Sequence, residues 1–171
     1  MFAGWENFYL MIGSAAGGLI GLLFVVATLT GGLGADKAEI GARVYLTPTV
    51  SHFAVILASA ALTAVPRLTP GIAGALLAAA ALWGLGYSAN VARMLHLRRG
   101  PAAPHWTDFW CYGCFPGTLY LAEIVAAGAL GFGVSWGRDA LAAALLALLL
   151  LTIRNAWDLV TAIAPVANSK P

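Results

Sequence analysis

The sequence predicts an all-α, polytopic integral membrane protein with five transmembrane helices and a short interfacial helix, or lid, between helices three and four. Of its 171 residues, 61% are hydrophobic and only 9% are charged, and the mean hydropathy is +0.85. A soluble domain carries about 25% charged residues, so this chain is not suited to water alone. Apolar segments recur along nearly the whole chain, which indicates a single transmembrane domain over residues 1–171.

Five segments approach the ~20 apolar residues that a helix needs to cross a bilayer. They cover about 8–30, 45–65, 71–95, 117–135 and 140–162. The first lacks a basic leader and is longer than the apolar core of a signal peptide, so we expect it to be retained as a span. Pro66 and Pro70 flank a tight turn, which predicts an antiparallel hairpin between the second and third spans.

The basic residues predict the orientation, because cytoplasmic loops carry an excess of lysine and arginine. With five spans, one face would hold Lys37, Arg43, Arg93, Arg98, Arg99 and Lys170, and the other Arg67 and Arg138. The N-terminus is therefore expected outside and the C-terminus in the cytoplasm, in a bacterial inner membrane. A net charge of +2 without a basic run gives no indication of nucleic-acid binding.

Small residues on the first span indicate close helix packing. Gly13, Gly17 and Gly21 recur every four residues and form a small-xxx-small ridge. Such ridges let helix backbones approach closely in lipid. Packing within the chain is the simpler interpretation of this ridge, and a homo-oligomer interface is the alternative. The expected partners of the protein are therefore the lipid bilayer and, in the alternative, a second copy of the chain.

The loop at residues 97–116 is rich in aromatic residues and contains both cysteines. Trp and Tyr favour the headgroup level of a membrane, so we expect a short interfacial helix or lid here. Cys111 and Cys114 form a single Cys-x-x-Cys pair, which supplies only half of a zinc site and lacks the second pair that a thiol relay uses. We interpret them as ordinary small residues and predict no metal, haem or other cofactor.

Polar residues in four spans suggest a common site. Arg154 and Asp158 stand four residues apart in the last span, where an unpaired charge would be costly. Counted from the predicted helix ends at ~1.5 Å per residue, the strongest polar residues of four spans reach similar depths in the cytoplasmic half. We call this set the predicted polar layer: His52, Asn90, Arg93, Glu123, Arg154, Asn155 and Asp158.

The predicted polar layer has two interpretations. In one, Arg154 pairs with Glu123 or Asp158, Arg93 pairs with the remaining carboxylate, and the charges only register the helices. In the other, a hydrated cavity binds an ion or passes protons. The second span favours the cavity, because it carries a polar stripe of Tyr45, Thr49, His52, Ser59 and Thr63 at near-heptad spacing.

Three functions follow from these interpretations. A small channel or transporter subunit, conducting ions or protons, is the leading hypothesis. A scaffold or accessory subunit, with purely structural ion pairs, is the alternative. A membrane enzyme that uses the 97–116 lid is a third, and the sequence contains no nucleotide, hydrolase or metalloprotease motif that favours it.

Overall fold

The structure, a computed structural model, describes residues 2, 4–30, 45–97 and 105–167. Its long helices are α1 (Glu6–Thr30), α2 (Thr47–Ala64), α3 (Pro70–Leu97), α4 (Trp106–Gly131) and α5 (Trp136–Ala167). All five are long and apolar enough to cross a membrane, and no strand occurs in the described ranges. This finding supports an integral membrane protein. The polar connector at 31–44 and the basic residues Arg98, Arg99 and Lys170 lie outside the described residues.

The separate lid between the third and fourth spans is not confirmed. From Trp106 onward the chain is already helical, with a π-helical stretch at Phe109–Cys114 that runs directly into the α-helix Phe115–Gly131. Helix α4 therefore begins eleven residues before the predicted start at 117 and ends before 135. The aromatic residues that suggested a lid are the first turns of the span itself. Residues 98–104 of the predicted lid lie outside the described residues.

Helices α3 and α4 form the closest antiparallel pair because small residues let them approach. A Cβ added at Gly74 would lie 2.6 Å from the carbonyl oxygen of Ala127, and one at Gly113 would lie 2.7 Å from Ala92 Cβ. Midway between these points, Gly84 faces the ring of Tyr120. The three contacts fix the register of α3 against α4 over most of their length.

Part of the glycine ridge on α1 packs within the chain. A Cβ at Gly13 would lie 3.1 Å from Ala60 Cβ of α2, and one at Gly17 would lie 4.0 Å from Leu57 Cδ1. A Cβ at Gly21 would meet no described atom within 4 Å. Two of the three glycines of the ridge therefore already face α2. The homo-oligomer interface that the ridge suggested stays a prediction.

The bundle has two distinct ends. Helix α5 packs against α4, α2 and α1, and α2 packs against α1 and α3. The end that holds Tyr45, Asp108 and Asp158 is called the polar end below. The opposite end holds the predicted turn between α2 and α3 and the turn at Gly133, which has φ +74°. Large apolar side chains such as Phe24, Leu121 and Leu150 are exposed on the outer faces of the helices, as lipid contact requires.

Candidate functional site

Two groups of polar residues occur where the sequence suggested a single layer. The first lies at the polar end and is called the polar-end network. Its centre is Asn155, which is fully buried on α5 and donates a hydrogen bond from Nδ2 to the carbonyl oxygen of Cys111, at 2.8 Å. The Tyr112 hydroxyl donates in turn to the carbonyl oxygen of Asn155, at 2.9 Å. Asn155 thereby ties α5 to the π-helical stretch of α4.

The same network extends to α2 through two tyrosines. The rings of Tyr45 and Tyr112 meet edge to face, with centroids 5.1 Å apart. The Tyr45 hydroxyl donates to Oδ2 of Asp108 at 3.0 Å. Three helices are thus joined at the polar end by hydrogen bonds and an aromatic contact, and this arrangement is typical of a structural brace.

Arg154 pairs with Asp158 and not with Glu123. The Arg154 Nη2 to Asp158 Oδ2 distance is 2.7 Å, and Arg154 Nη1 also donates to Asn155 Oδ1 at 3.2 Å. The two charged side chains are 43% and 42% exposed, so the pair contributes a few tenths of a kcal/mol at most. Arg154 follows Trp136 by eighteen residues, or about 27 Å of helix, which places it near the boundary of a ~30 Å hydrocarbon core.

Asn90 and Arg93 do not join either group. Both side chains are exposed on α3, and within the described ranges Arg93 forms no ion pair with the carboxylates that the sequence offered it. Asn90 is likewise absent from the hydrogen bonds of the polar-end network. Asn90 and Arg93 lie on the outward-facing side of α3, because the inward face of this helix carries the small residues that contact α4.

Replacing Asn155 by alanine should destabilise the protein by about 1–3 kcal/mol, because the carbonyl of Cys111 loses its side-chain donor in a buried place. Thermal unfolding in detergent measures the change. Asn90→Ala is the matched control, since it removes the same side chain from an exposed position and should change stability by less than about 0.5 kcal/mol. Equal effects at the two positions would contradict the bracing role of Asn155.

The second group lies inside the bundle and is called the central site: His52, Ser59, Ser88, Tyr120 and Glu123. His52 on α2 and Glu123 on α4 are each 1% exposed, and Tyr120 is fully buried. The His52 Nδ1 and the Tyr120 hydroxyl oxygen are 2.8 Å apart and share a hydrogen bond. The Tyr120 ring fits against Gly84, where an added Cβ would lie 2.3 Å from the ring carbon Cζ. Residues of α2, α3 and α4 therefore bring a histidine, a tyrosine and a carboxyl group together inside the bundle.

The central site lies inside the bundle, about 12–18 Å from the helix ends opposite the polar end. Glu123 precedes the end of α4 at Gly131 by eight residues, or about 12 Å, and His52 precedes the end of α2 by twelve, or about 18 Å. Tyr112 of the polar-end network lies eleven residues, about 16 Å, before Glu123 on the same helix. The predicted polar layer is therefore two layers, because α4 begins earlier than the sequence suggested and carries Glu123 deeper.

Four buried polar atoms of the central site have no hydrogen-bond partner among the described residues. They are His52 Nε2, Ser59 Oγ, Ser88 Oγ and Glu123 Oε1. Burying such an atom without a partner costs about 1–3 kcal/mol, and more when the group is charged. By contrast, Thr49 and Thr63 donate to the backbone of their own helix, at 2.7 Å each, so these members of the predicted stripe are satisfied.

The unpartnered atoms are spread along the bundle axis. Ser88 of α3 lies opposite Gly117, which is one helical turn before Tyr120 on the side of the polar end. Glu123 is one turn beyond Tyr120, and Ser59 follows His52 by two turns in the same direction. At ~1.5 Å per residue the series covers about 15 Å, with Glu123 inside it. The central site is therefore a short polar column rather than a single point.

The described residues support neither metal ligation nor a cavity under the predicted lid. No cluster of three or more His, Cys, Asp and Glu side chains suited to a metal occurs in the described ranges, and Cys111 and Cys114 are free, half-buried thiols. A groove of about 550 Å³ lies between α1 and α2 and is lined mainly by small and apolar residues such as Gly13, Leu57 and Ala60. His52 and Glu123 do not line it, so it is not the cavity that an enzyme working under the lid would need.

Comparison with known proteins adds no relative. No family model matches the chain, and no curated protein and no solved structure matches it. Its function is therefore inferred from its own residues.

Sequence reasoning missed Tyr120 and Ser88, which complete the central site. Tyr120 stands three residues before Glu123, so the two share a helical face, and this spacing could have identified it. Gly84 gave a weaker signal, because a glycine inside an apolar helix shows only that something approaches closely, not what approaches.

Proposed function

We propose that this protein is a small channel or transporter subunit that carries an ion or a proton through the central site. The observation that carries the proposal is Glu123, an ionisable residue inside the bundle about 12 Å from the end of α4, 1% exposed, with an unpartnered Oε1. Substrate and coupling-ion sites of membrane transporters lie near the bilayer midplane. An unpartnered carboxyl oxygen in this place gives a scaffold no hydrogen bond and costs it stability, whereas it gives a passing cation or proton a binding group.

The polar column supports the same proposal. Ser88 extends the polar groups from His52 toward the polar end, and Ser59 extends them from Glu123 toward the opposite end. A transported ion needs polar groups on both sides of its binding site, since it must enter and leave. In the predicted orientation, the polar end faces the cytoplasm of a bacterial inner membrane.

A scaffold or accessory subunit is the second candidate, and the polar-end network is the observation that favours it. Asn155, Tyr112 and Asp108 hold three helices together with partnered hydrogen bonds, as a brace should. The scaffold does not account for the unpartnered carboxyl of Glu123. The two candidates therefore differ most clearly at that residue.

Ion flux in reconstituted vesicles tests the proposal. Purified protein is inserted in liposomes, and proton, Na⁺, K⁺ and Cl⁻ gradients are applied one at a time. We expect flux of at least one of these ions, and we expect Glu123→Gln to lower it to the level of empty vesicles because the amide cannot bind or release a proton or neutralise a cation. Glu6→Gln, the same change in the exposed first turn of α1, should leave the flux unchanged.

The controls separate the two candidates. Flux that Glu123→Gln abolishes and Glu6→Gln preserves supports the transport proposal. Flux no higher than in empty vesicles, for every gradient and at every pH applied, overturns it and leaves the scaffold.

A further inference from the structure

The central site contains a carboxyl group, Glu123, and no arginine or lysine of the described residues balances its charge. The described residues include four arginines. Arg67 lies in the turn between α2 and α3, and Arg93 lies in the last turns of α3. Arg138 lies at the start of α5 and Arg154 at the polar end. No ion pair joins any of them to Glu123. Among the described residues, the charge of Glu123 is therefore left to be balanced by a bound cation, by a proton or by protonated His52.

The surroundings of Glu123 favour a proton. A divalent cation takes about six to eight oxygen ligands, and the central site offers one carboxyl, two serine hydroxyls and a phenol that is already bonded to His52. The titratable groups near Glu123 are His52 from α2 and Tyr120 from its own helix. Helix α3 contributes Ser88, while α1 between Leu10 and Thr30 and α5 between Ala140 and Ile153 contain no titratable residue. Imidazole, carboxyl and phenol groups can all accept and release protons in proteins.

The geometry points to a proton relay in which Tyr120 connects His52 to Glu123, and we propose that the ion carried through the central site is the proton. This inference rests on the proposed function and names its substrate. The phenol oxygen of Tyr120 is 2.8 Å from His52 Nδ1, within the distance for direct proton transfer. Glu123 is three residues further along the same helix face, where side chains are neighbours. No hydrogen bond joins the Tyr120 hydroxyl to Glu123 in the structure, and the unpartnered Oε1 of Glu123 is the atom that would accept the proton.

The transfer balances without any further reactant. Protonated His52 gives its Nδ1 proton to the phenol oxygen of Tyr120, and the phenol gives its own proton to the carboxylate of Glu123. One N–H and one O–H bond break, and two O–H bonds form. Tyr120 ends neutral as it began, His52 becomes neutral imidazole, and Glu123 becomes a carboxylic acid. The opposite sequence of steps returns the proton.

Tyr120 is a positioning and relay residue whose placement depends on Gly84. The ring lies where any side chain at position 84 would stand, which holds the hydroxyl at His52. Ser88 and Ser59 lie on the two sides of this group along the bundle axis, each with a hydroxyl that has no hydrogen-bond partner among the described residues.

Proton flux through Tyr120→Phe tests this inference. The full-length protein is reconstituted in vesicles with an internal pH dye, in choline salts, with the membrane potential clamped. We expect Tyr120→Phe to slow proton flux at least about tenfold, since one positioned proton-transfer group contributes ~10²–10⁴ to a rate. Phenylalanine keeps the ring against Gly84, so the fold is preserved. Tyr87→Phe removes the same hydroxyl from the half-buried Tyr87 of α3 and should leave the flux unchanged.

A second readout separates a relay from a loss of folded protein. The ratio of flux in H₂O to flux in D₂O should differ between wild type and Tyr120→Phe, because the slow step changes. Fewer folded molecules would lower both fluxes equally and leave the ratio unchanged, and that result, with reduced flux, would overturn the relay. His52→Gln should also slow proton flux, since it removes the group that hands the proton to Tyr120.

The remaining outcomes distinguish this inference from the proposed function. Na⁺ or K⁺ flux without proton flux overturns the proton as substrate and leaves transport intact. Proton flux that is equal in wild type and Tyr120→Phe overturns the relay alone. No flux of any ion overturns both.

Discussion

Replacing Glu123 by leucine should stabilise the protein by about 1–3 kcal/mol and abolish the proposed ion flux. The gain is expected because the 1%-exposed carboxyl has an unpartnered oxygen, and an unsatisfied buried polar group costs about that much. Leucine has a similar volume, so the close-packed surroundings can accept it without a cavity. Thermal unfolding in detergent measures the stability, and vesicle flux measures the activity.

Glu6→Leu is the control for that change. Glu6 is exposed in the first turn of α1, where a negative charge interacts favourably with the helix dipole. Its removal should give no stability gain. If Glu123→Leu lowers stability instead, the carboxyl makes a contact that holds the bundle together, and the scaffold becomes the better account of the central site.

Gly84→Ala should destabilise the protein by about 1–2 kcal/mol and disturb the His52–Tyr120 pair. An added Cβ would lie 2.3–2.8 Å from three atoms of the Tyr120 ring, closer than van der Waals contact allows. Overpacking of this kind costs about 1–3 kcal/mol, from which alanine's better helix propensity subtracts up to ~1 kcal/mol. Thermal unfolding and proton flux should both show a loss.

Gly86→Ala is a matched control on the same helix. A Cβ at Gly86 meets no described atom within 4 Å, so this variant should be as stable as wild type or slightly more stable. A double variant, Gly84→Ala with Tyr120→Leu, should lose less stability than the sum of the single changes, because the smaller side chain removes the clash. Additive losses would show that the ring of Tyr120 is not what limits position 84.

Hydropathy predicted the five spans, because each helix is a continuous apolar segment between turn residues. It failed at the start of α4, where Trp106, Phe109 and Trp110 resemble an interfacial lid and are in fact the first turns of the helix. Composition alone does not separate aromatic residues that lie along the membrane surface from those that begin a span at the same level. The π-helical stretch at Phe109–Cys114 leaves no recognisable signal in the sequence.

The error at α4 had a direct consequence for the predicted site. Depth was counted from the predicted end of each helix, so a start eleven residues too late brought Glu123 to the level of Arg154. In the sequence, Arg154 is a charged residue inside an apolar segment, which suggests a position within the membrane. In the structure, α5 continues to Ala167 and Arg154 lies at the polar end of the bundle. The residue types of His52 and Glu123 are enough to identify them as site candidates. Their distance from Arg154 along the bundle axis depends on the register between helices, which the sequence does not show.

The role of Glu123 as an ion-binding group is tested most directly by proton flux in vesicles that contain equal amounts of Glu123→Asp or Glu123→Gln protein. Aspartate keeps the carboxyl group on a shorter side chain, while glutamine keeps the length and loses the proton-binding oxygen. We predict measurable flux for Glu123→Asp and none above empty vesicles for Glu123→Gln. Flux through Glu123→Gln equal to that of wild type would contradict the role assigned to the central site.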